Sequence, residues 1–338
     1  MKPICLLHTG GVVAMEKNAD SVLQPTIERQ RALLEFLPTI KQVATVDSHY
    51  LFQLDSSDIQ PEHWQVLAET IIQHYNDYDG FVILHGSDTM AYTATALSFM
   101  LEQLGKPVIL TDTLVPLTTV APDNHSNIVN AVRFACSNIA EVAIVFGKLL
   151  LRGNRSKKIY DLGTQSFTSP NYSPLGKVDI KLSFSKHCQP RHHQSPQLKA
   201  HLVKEVVLIT LFPGITNEHI LGMVPPRTKG VVIAGYGAGN IPLGLGGIEE
   251  AITTIINHDI TVVISTQCLY SGVSDSRYVG GAFIKKLGAL SAQDMTTEAA
   301  LIKLMWVLAQ TSQASEIHRL YETNLRGELT NTDEVYGV

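Results

Sequence analysis

Four cysteines in 338 residues, Cys5, Cys136, Cys188 and Cys268, form no CxxC pair and no regular spacing. A disulfide framework is therefore excluded as the organising device, and reduced thiols in a cytoplasm are the expectation. Basic runs are also missing, with 26 Lys and Arg against 31 Asp and Glu and a formal charge of -5. Without a basic patch there is little to neutralise a phosphate backbone, so nucleic acid is not an expected partner. No apolar stretch reaches the ~20 residues that span a bilayer, and the apolar run at residues 4–7 is too short for a signal peptide. A membrane is not expected as a partner either. What is present, 45% hydrophobic and 17% charged residues, suffices for a large core and for two domains.

Short apolar runs alternate with amphipathic stretches. Residues 4–7, 81–84, 108–110 and 142–146 read as strands, and residues 26–37, 61–74 and 89–104 as helices. This is the rhythm of a largely parallel sheet covered on both faces. In the third helical stretch Met90, Ala94, Leu97, Leu101 and Leu104 recur at helical spacing, with Asp88 as the expected N-cap. Near residue 186 the chain turns polar, with Gln189, Pro190 and Pro196 and no periodicity, and reads as a linker. A second rhythm follows, with strands at 206–212, 231–234 and 260–264 and helices at 248–257 and 296–310. The expected organisation is a larger doubly wound α/β domain over residues 1–185, a linker over 186–203 and a smaller α/β domain, also read as doubly wound, over 204–338.

Chemistry is expected where strands end. Thr9-Gly10-Gly11-Val12 follows the first strand, and His85-Gly86-Ser87-Asp88-Thr89 follows the second. In an open α/β sheet ligands bind at such carboxyl ends, where backbone N–H groups and helix N-termini point. The plain reading of the first loop is a tight turn, and of the second a capped helix, although capping does not account for the whole polar group. Further on, Lys157 and Lys158 close a basic cluster, Arg152-Gly153-Asn154-Arg155-Ser156, that alone reads as a solvated loop. A lysine beside a serine and a carboxylate can also serve as a proton acceptor. The Gly235-x-Gly237-x-Gly239 spacing does not continue to GxGxxG and reads as a turn. His187, Cys188, His192 and His193 read as part of a solvated connector rather than a zinc site, and Cys268 as a buried structural thiol.

Taken together, Thr9-Gly10-Gly11, Asp55-Ser56-Ser57-Asp58, the run from Tyr78 through His85-Gly86-Ser87-Asp88-Thr89 to Ala94, and Arg152-Gly153-Asn154-Arg155 resemble the bacterial type I, cytoplasmic, L-asparaginases in order and spacing. The likeness continues through Ser169-Pro170-Asn171, Tyr236-Gly237-Ala238-Gly239-Asn240, Thr266-Gln267-Cys268, Asp294-Met295-Thr296 and the stretch Asn324-Leu325-Arg326-Gly327-Glu328-Leu329-Thr330. The resemblance implies two α/β domains and hydrolysis of L-asparagine to L-aspartate and ammonia, with no metal or organic cofactor. It implies a homodimer or homotetramer whose active site lies between one subunit's N-terminal domain and a neighbour's C-terminal domain. Asparagine or aspartate would be the small-molecule partner. Asp55, Ser56, Ser57 and Asp88 match substrate-binding positions, Thr9 and Ser87 belong to the same set, and Asn240 matches a loop residue that reaches the neighbouring site.

The departures bear on chemistry. Members of the family read TGGT, and the last threonine is the nucleophile; here that position is Val12. The assisting tyrosine aligns with Val22. The second triad is kept in type, with Ser87 for the usual threonine, Asp88 for its acid and Lys158 for its base. Asp112-Thr113 stands where relatives carry Gly-Ser, Pro122-Asp123-Asn124 where they carry Ser-Asp-Gly, and Ala234 replaces an arginine of allosterically controlled members. Asp112 adds a negative charge that can repel a carboxylate-bearing ligand. Losing a hydroxyl nucleophile removes roughly 10⁶ of turnover in serine hydrolases. Three readings follow: an amidohydrolase of weak or altered activity that uses Ser87, Lys158 and Asp88; a binding protein for a small amino acid; and a pseudoenzyme valued for its interactions.

Overall fold

The computed structural model describes residues 1–36, 38–113, 124–161, 163, 165–244, 246–274 and 279–330. Pro122 and Asp123, singled out above, lie outside the described residues. The chain divides into two compact units, Met1–Ser169 with Ser173–Ala200, and Pro170–Tyr172 with His201–Val338.

The first unit is built on an eight-stranded sheet. Its strands are β1 (Pro3–Gly10), β2 (Thr45–Leu54), β3 (Gly80–Leu84), β4 (Val108–Thr111), β5 (Val142–Phe146), β6 (Leu149–Arg152), β7 (Gly176–Val178) and β8 (Leu182–Phe184). They lie in the order β8-β7-β6-β5-β4-β3-β1-β2. β1 to β5 pair in parallel, and β6, β7 and β8 add antiparallel strands at one edge. Ile4, Cys5, Leu6 and Leu7 in β1, and Phe81, Val82, Ile83 and Leu84 in β3, are completely buried. Because successive strand residues point to opposite faces, both faces of the sheet are covered.

The helices α1 (Ile27–Phe36), α2 (Pro61–Gln73), α3 (Met90–Met100) and α4 (Asn124–Ala135) belong to this unit. α3 is shorter than its apolar periodicity suggests. At Leu101 the chain leaves the helix so that Leu101 and Glu102 can pair with Leu198 and Gln197. Those partners come from the stretch expected to be a linker, which is largely part of the first unit. Arg191 ties it down by donating to the carbonyls of Ser137, Asp79 and Ala135 at 2.7, 2.6 and 3.0 Å. Composition suggested solvent there, but the polar groups bond to the sheet's own loops.

The second unit carries a four-stranded parallel sheet, β9 (Val206–Thr210), β10 (Gly230–Gly235), β11 (Thr261–Thr266) and β12 (Leu290–Ser291), in chain order. That order has no reversal, so this sheet is not doubly wound as the sequence rhythm suggested. Its helices are α5 (Asn217–Gly222), α6 (Ile248–Asn257), α7 (Val279–Lys286), α8 (Thr297–Gln310) and α9 (Ala314–Glu322). Ile209, Val231, Ile233, Ile252, Ile255 and Ile264 pack together in its core. No helix among the described residues is long and apolar enough to cross a membrane.

Candidate functional site

Within the first sheet the order β2-β1-β3-β4-β5 reverses between β1 and β3. Connections leave the two strands in opposite directions there, which opens a crevice beyond their carboxyl ends. Glycines bring the two strand ends together. Gly11 has φ +77°, and a Cβ on it would stand 2.6 Å from Gly86 N; a Cβ on Gly86 would stand 2.7 Å from Ser56 Oγ. Only a residue without a side chain permits that approach.

Around this point lies a cavity of about 110 Å³ lined by Gly11, Val12, Met15, Asp55, Ser56, Gly86, Ser87, Asp88, Thr113, Lys158 and Asp161. Lys158 Nζ donates to Ser87 Oγ at 3.0 Å and to Asp88 Oδ1 at 2.5 Å, while Asp161 stands 3.9 Å from the same ammonium. Serine, lysine and carboxylate thus form a connected hydrogen-bonded group in the wall. Val12 lines the same wall with two methyl groups. Thr9 does not reach it: it is buried, and its hydroxyl donates to Leu84 O at 2.8 Å. Ser57 is exposed and outside the lining, with its hydroxyl and its N–H both bonded to Asp55 Oδ1 at 2.8 Å.

Asp88 is not the N-cap of α3. Thr89 holds that position, and its hydroxyl donates to Ser56 O at 2.6 Å instead of capping the helix. With the helix starting one residue later, the Asp88 side chain is left free for Lys158. Behind the loop, His85 is completely buried. Trp64 Nε1 can only donate, and it meets Thr93 Oγ1 at 2.9 Å. The Thr93 hydroxyl, accepting there, donates to His85 Nε2 at 2.8 Å, and His85 Nδ1 donates to Gly86 O at 2.7 Å. Burial lowers the His85 pKa to about 4, so the ring is neutral, as this arrangement requires. The peptide group just before Ser87 is thereby fixed in orientation.

Beneath Val12 and Ser87 lies Asp112, completely buried, with its pKa raised to about 7 by desolvation. Sequence reading flagged its charge but had no means to place it behind the wall. Asp161 and Met15 were missed altogether; Asp161 had a signal only in its i+3 spacing from Lys158. Val22, aligned with the assisting tyrosine, is 58% exposed and not in the lining. A larger hollow of about 540 Å³, lined by residues such as Asn130, Phe146 and Phe167, holds none of the predicted residues. Among the described residues no cluster of His, Cys, Asp or Glu is arranged to hold a metal ion.

In the second unit, Asn240 closes a short turn through paired backbone bonds with Tyr236 at 2.8 and 2.7 Å. Gly237 and Gly239 there have φ +48° and +84°, which accounts for the glycine spacing as a turn. Ala234 is buried in β10. Cys268 is exposed rather than buried, because β11 ends at Thr266 and the chain turns outward. All four cysteines are free thiols.

Residues 3–190 match the family described as Asparaginase, N-terminal, and residues 205–321 the Glutaminase/Asparaginase C-terminal domain. The sequence is 37% identical to L-asparaginase 1 of Escherichia coli strain K12 over 98% of this chain and 99% of that one. The thermostable L-asparaginase from Thermococcus kodakarensis superposes with a TM-score of 0.90 at 33% identity, covering 98% and 100% of the two chains. L-asparaginase I from Vibrio cholerae gives 0.88 at 34% identity, covering 98% and 99%. With both family halves matched in order and the likeness running nearly end to end, the chain belongs to the asparaginase family, of the bacterial type I kind.

Proposed function

We propose that this member hydrolyses the side-chain amide of L-asparagine at a low rate, with Ser87 as nucleophile, Lys158 as base and Asp88 orienting the lysine. The carrying observation is the Lys158 ammonium nitrogen lying 3.0 Å from Ser87 Oγ and 2.5 Å from Asp88 Oδ1, in a wall where Val12 offers no hydroxyl. The L-asparaginases it resembles act, by name, on L-asparagine. Lys158 serves as base only once its ammonium has given up a proton; Ser87 Oγ then attacks the amide carbon as the serine proton passes to the lysine amine. The amide nitrogen then leaves as ammonia with that proton, and water hydrolyses the resulting ester to L-aspartate. Asp55 and Asp88 supply negative charge for the substrate ammonium, and Ser56 lies beside them for the α-carboxylate. The reading includes a homodimer or homotetramer in the cytoplasm, with Asn240 supplied to a neighbouring site.

Ammonia release from purified protein tests it, with Ser87→Ala and Val12→Thr alongside. Ser87→Ala should abolish the wild-type rate, and Val12→Thr should raise it by roughly 10² or more, because the lost hydroxyl returns at the wall. Unchanged release from Ser87→Ala sinks the reading. No release from the wild type, with L-aspartate still bound, would favour a binding protein instead.

A further inference from the structure

The carboxyl of Asp112 is surrounded by peptide groups from three strand ends. Val13 N–H donates to Oδ1 at 3.3 Å, and the backbone amides of Thr113, Val12 and Ser87 also favour its charged form. Among the described residues Oδ2 has no hydrogen-bond partner. Val12, Ser87 and Thr113 line the cavity, so the carboxyl lies directly behind the wall that their backbone builds. Amides converging from the ends of β1, β3 and β4 make the kind of concavity that holds an anion. Here the anion belongs to the chain.

The surrounding elements bring few competing charges. His85, at the end of β3, is held neutral, and Asp88 and Lys158 pair with each other at 2.5 Å. Asp55, after β2, is engaged with Ser57, and α4 presents the uncharged Asn127, whose Nδ2 donates to the backbone O of Asp112 at 3.1 Å. Burial and the four amides, rather than a neighbouring charge, set the titration of Asp112 near pH 7.

We propose that Asp112 is a specificity-determining residue: it fills the amide cradle behind Val12 and Ser87 with a carboxyl of the chain's own, and so reserves that end of the cavity for an uncharged ligand group, a carboxamide rather than a carboxylate. The role rests on the amino-acid reading given above. A carboxylate seated against the same wall faces an ionised Asp112 through a layer of low dielectric, where like charges repel far more strongly than in water. It binds once Asp112 has taken up a proton, so its affinity falls about tenfold for each pH unit above about 7. An uncharged group at that end meets no such penalty.

Calorimetry with L-aspartate and the uncharged, non-hydrolysable L-homoserine, at about pH 5.5 and 8.0, reads this in the wild type and in Asp112→Asn. The wild-type Kd for L-aspartate should rise about tenfold across that interval while that for L-homoserine stays within about twofold. In the variant both should stay flat. An equal rise in both proteins, or none in the wild type, overturns the assignment. A second measurement needs no ligand: the Tm of Asp112→Asn relative to wild type should climb by roughly 3 °C or more over the same interval, since ionising a buried carboxyl destabilises the wild type alone. A flat difference refutes the internal anion. If the Tm difference climbs but neither amino acid binds either protein, the amino-acid reading has failed and takes the specificity role with it.

Discussion

Val12 keeps the outline of threonine and omits the oxygen, while the turn around it is closed by Ala14 N–H on Gly11 O and Gly11 N–H on Leu54 O, both at 3.1 Å. None of those bonds needs a hydroxyl at position 12, so the chemistry changes without the loop. Ser87 then depends on Lys158, and replacement by methionine separates a catalytic from a structural role. Asp88 is 60% exposed, so losing its ion pair should cost at most about 1 kcal/mol. Lys158→Met should therefore lower kcat by about 10²–10⁴ while Tm shifts by no more than about 2 °C. A large fall in Tm alongside the lost rate would make Lys158 a structural residue. Sequence reading grouped Ser87, Asp88 and Lys158 only through family likeness, because some 70 residues separate the lysine from its partners. The capping role given to Asp88 failed for a local reason, the start of α3 one residue later.

Fully buried strands announce themselves: β1, β3, β4 and β5 read as continuous apolar runs because helices and loops cover both their faces. β2 escaped because it is the edge strand, and Asp47, Ser48, His49 and Gln53 break its apolar pattern. The stretch from Gln189 to Leu198 escaped because it is bonded to the rest of the first unit, Gln189 N–H to the Glu141 carboxylate, Arg191 to backbone carbonyls and Gln197 and Leu198 to a short strand pair, a fact that composition does not carry. The Asn324–Thr330 motif was legible as a pattern and silent as to purpose. Lys303, on α8, is fully buried and bonds to Glu328 Oε1 at 2.5 Å and to Thr323 O at 2.7 Å; Glu328 also accepts from Leu325 and Arg326 N–H. That ion pair clasps the motif to the helix. Lys303→Met leaves Glu328 charged and buried and should cost about 3–5 kcal/mol, read through denaturant unfolding followed by Trp306 on the same helix. Adding Glu328→Gln removes the stranded charge and keeps an acceptor for the two amides, so at least half the loss should return. No recovery in the double variant would show that packing, rather than charge, holds the clasp.

At the scale of the whole molecule, charge on burial should shape how stability follows pH. His8 and His85 titrate near 4, against ordinary values near 6.5, because burial opposes their protonation. Each contributes about 3 kcal/mol that is present above pH 6.5 and lost as pH falls towards 4. Asp112 runs the other way: its pKa is raised from 3.8 to about 7, so its contribution is present below 3.8 and lost as pH rises through 7. Between about pH 4 and 6.5 the unfolded chain therefore binds two protons on these histidines, and the folded chain one on Asp112. The difference of one proton gives an acid limb rising at about 1.4 kcal/mol per pH unit, with a shallow maximum near pH 6.5. Above pH 9 stability falls again, because burial pushes the Cys5 and Cys188 thiols up to about 12. All three acid-limb groups lie in the first unit, as does Trp64, so a Trp306→Phe background leaves a fluorescent reporter in that unit. In that background Asp112→Asn should steepen the acid limb by about 1.4 kcal/mol per pH unit and remove the fall that Asp112 causes between about pH 6.5 and 7. Other carboxylates titrate alike in both proteins and cancel in the comparison. Parallel acid limbs would mean that Asp112 is ionised in the folded state throughout that range.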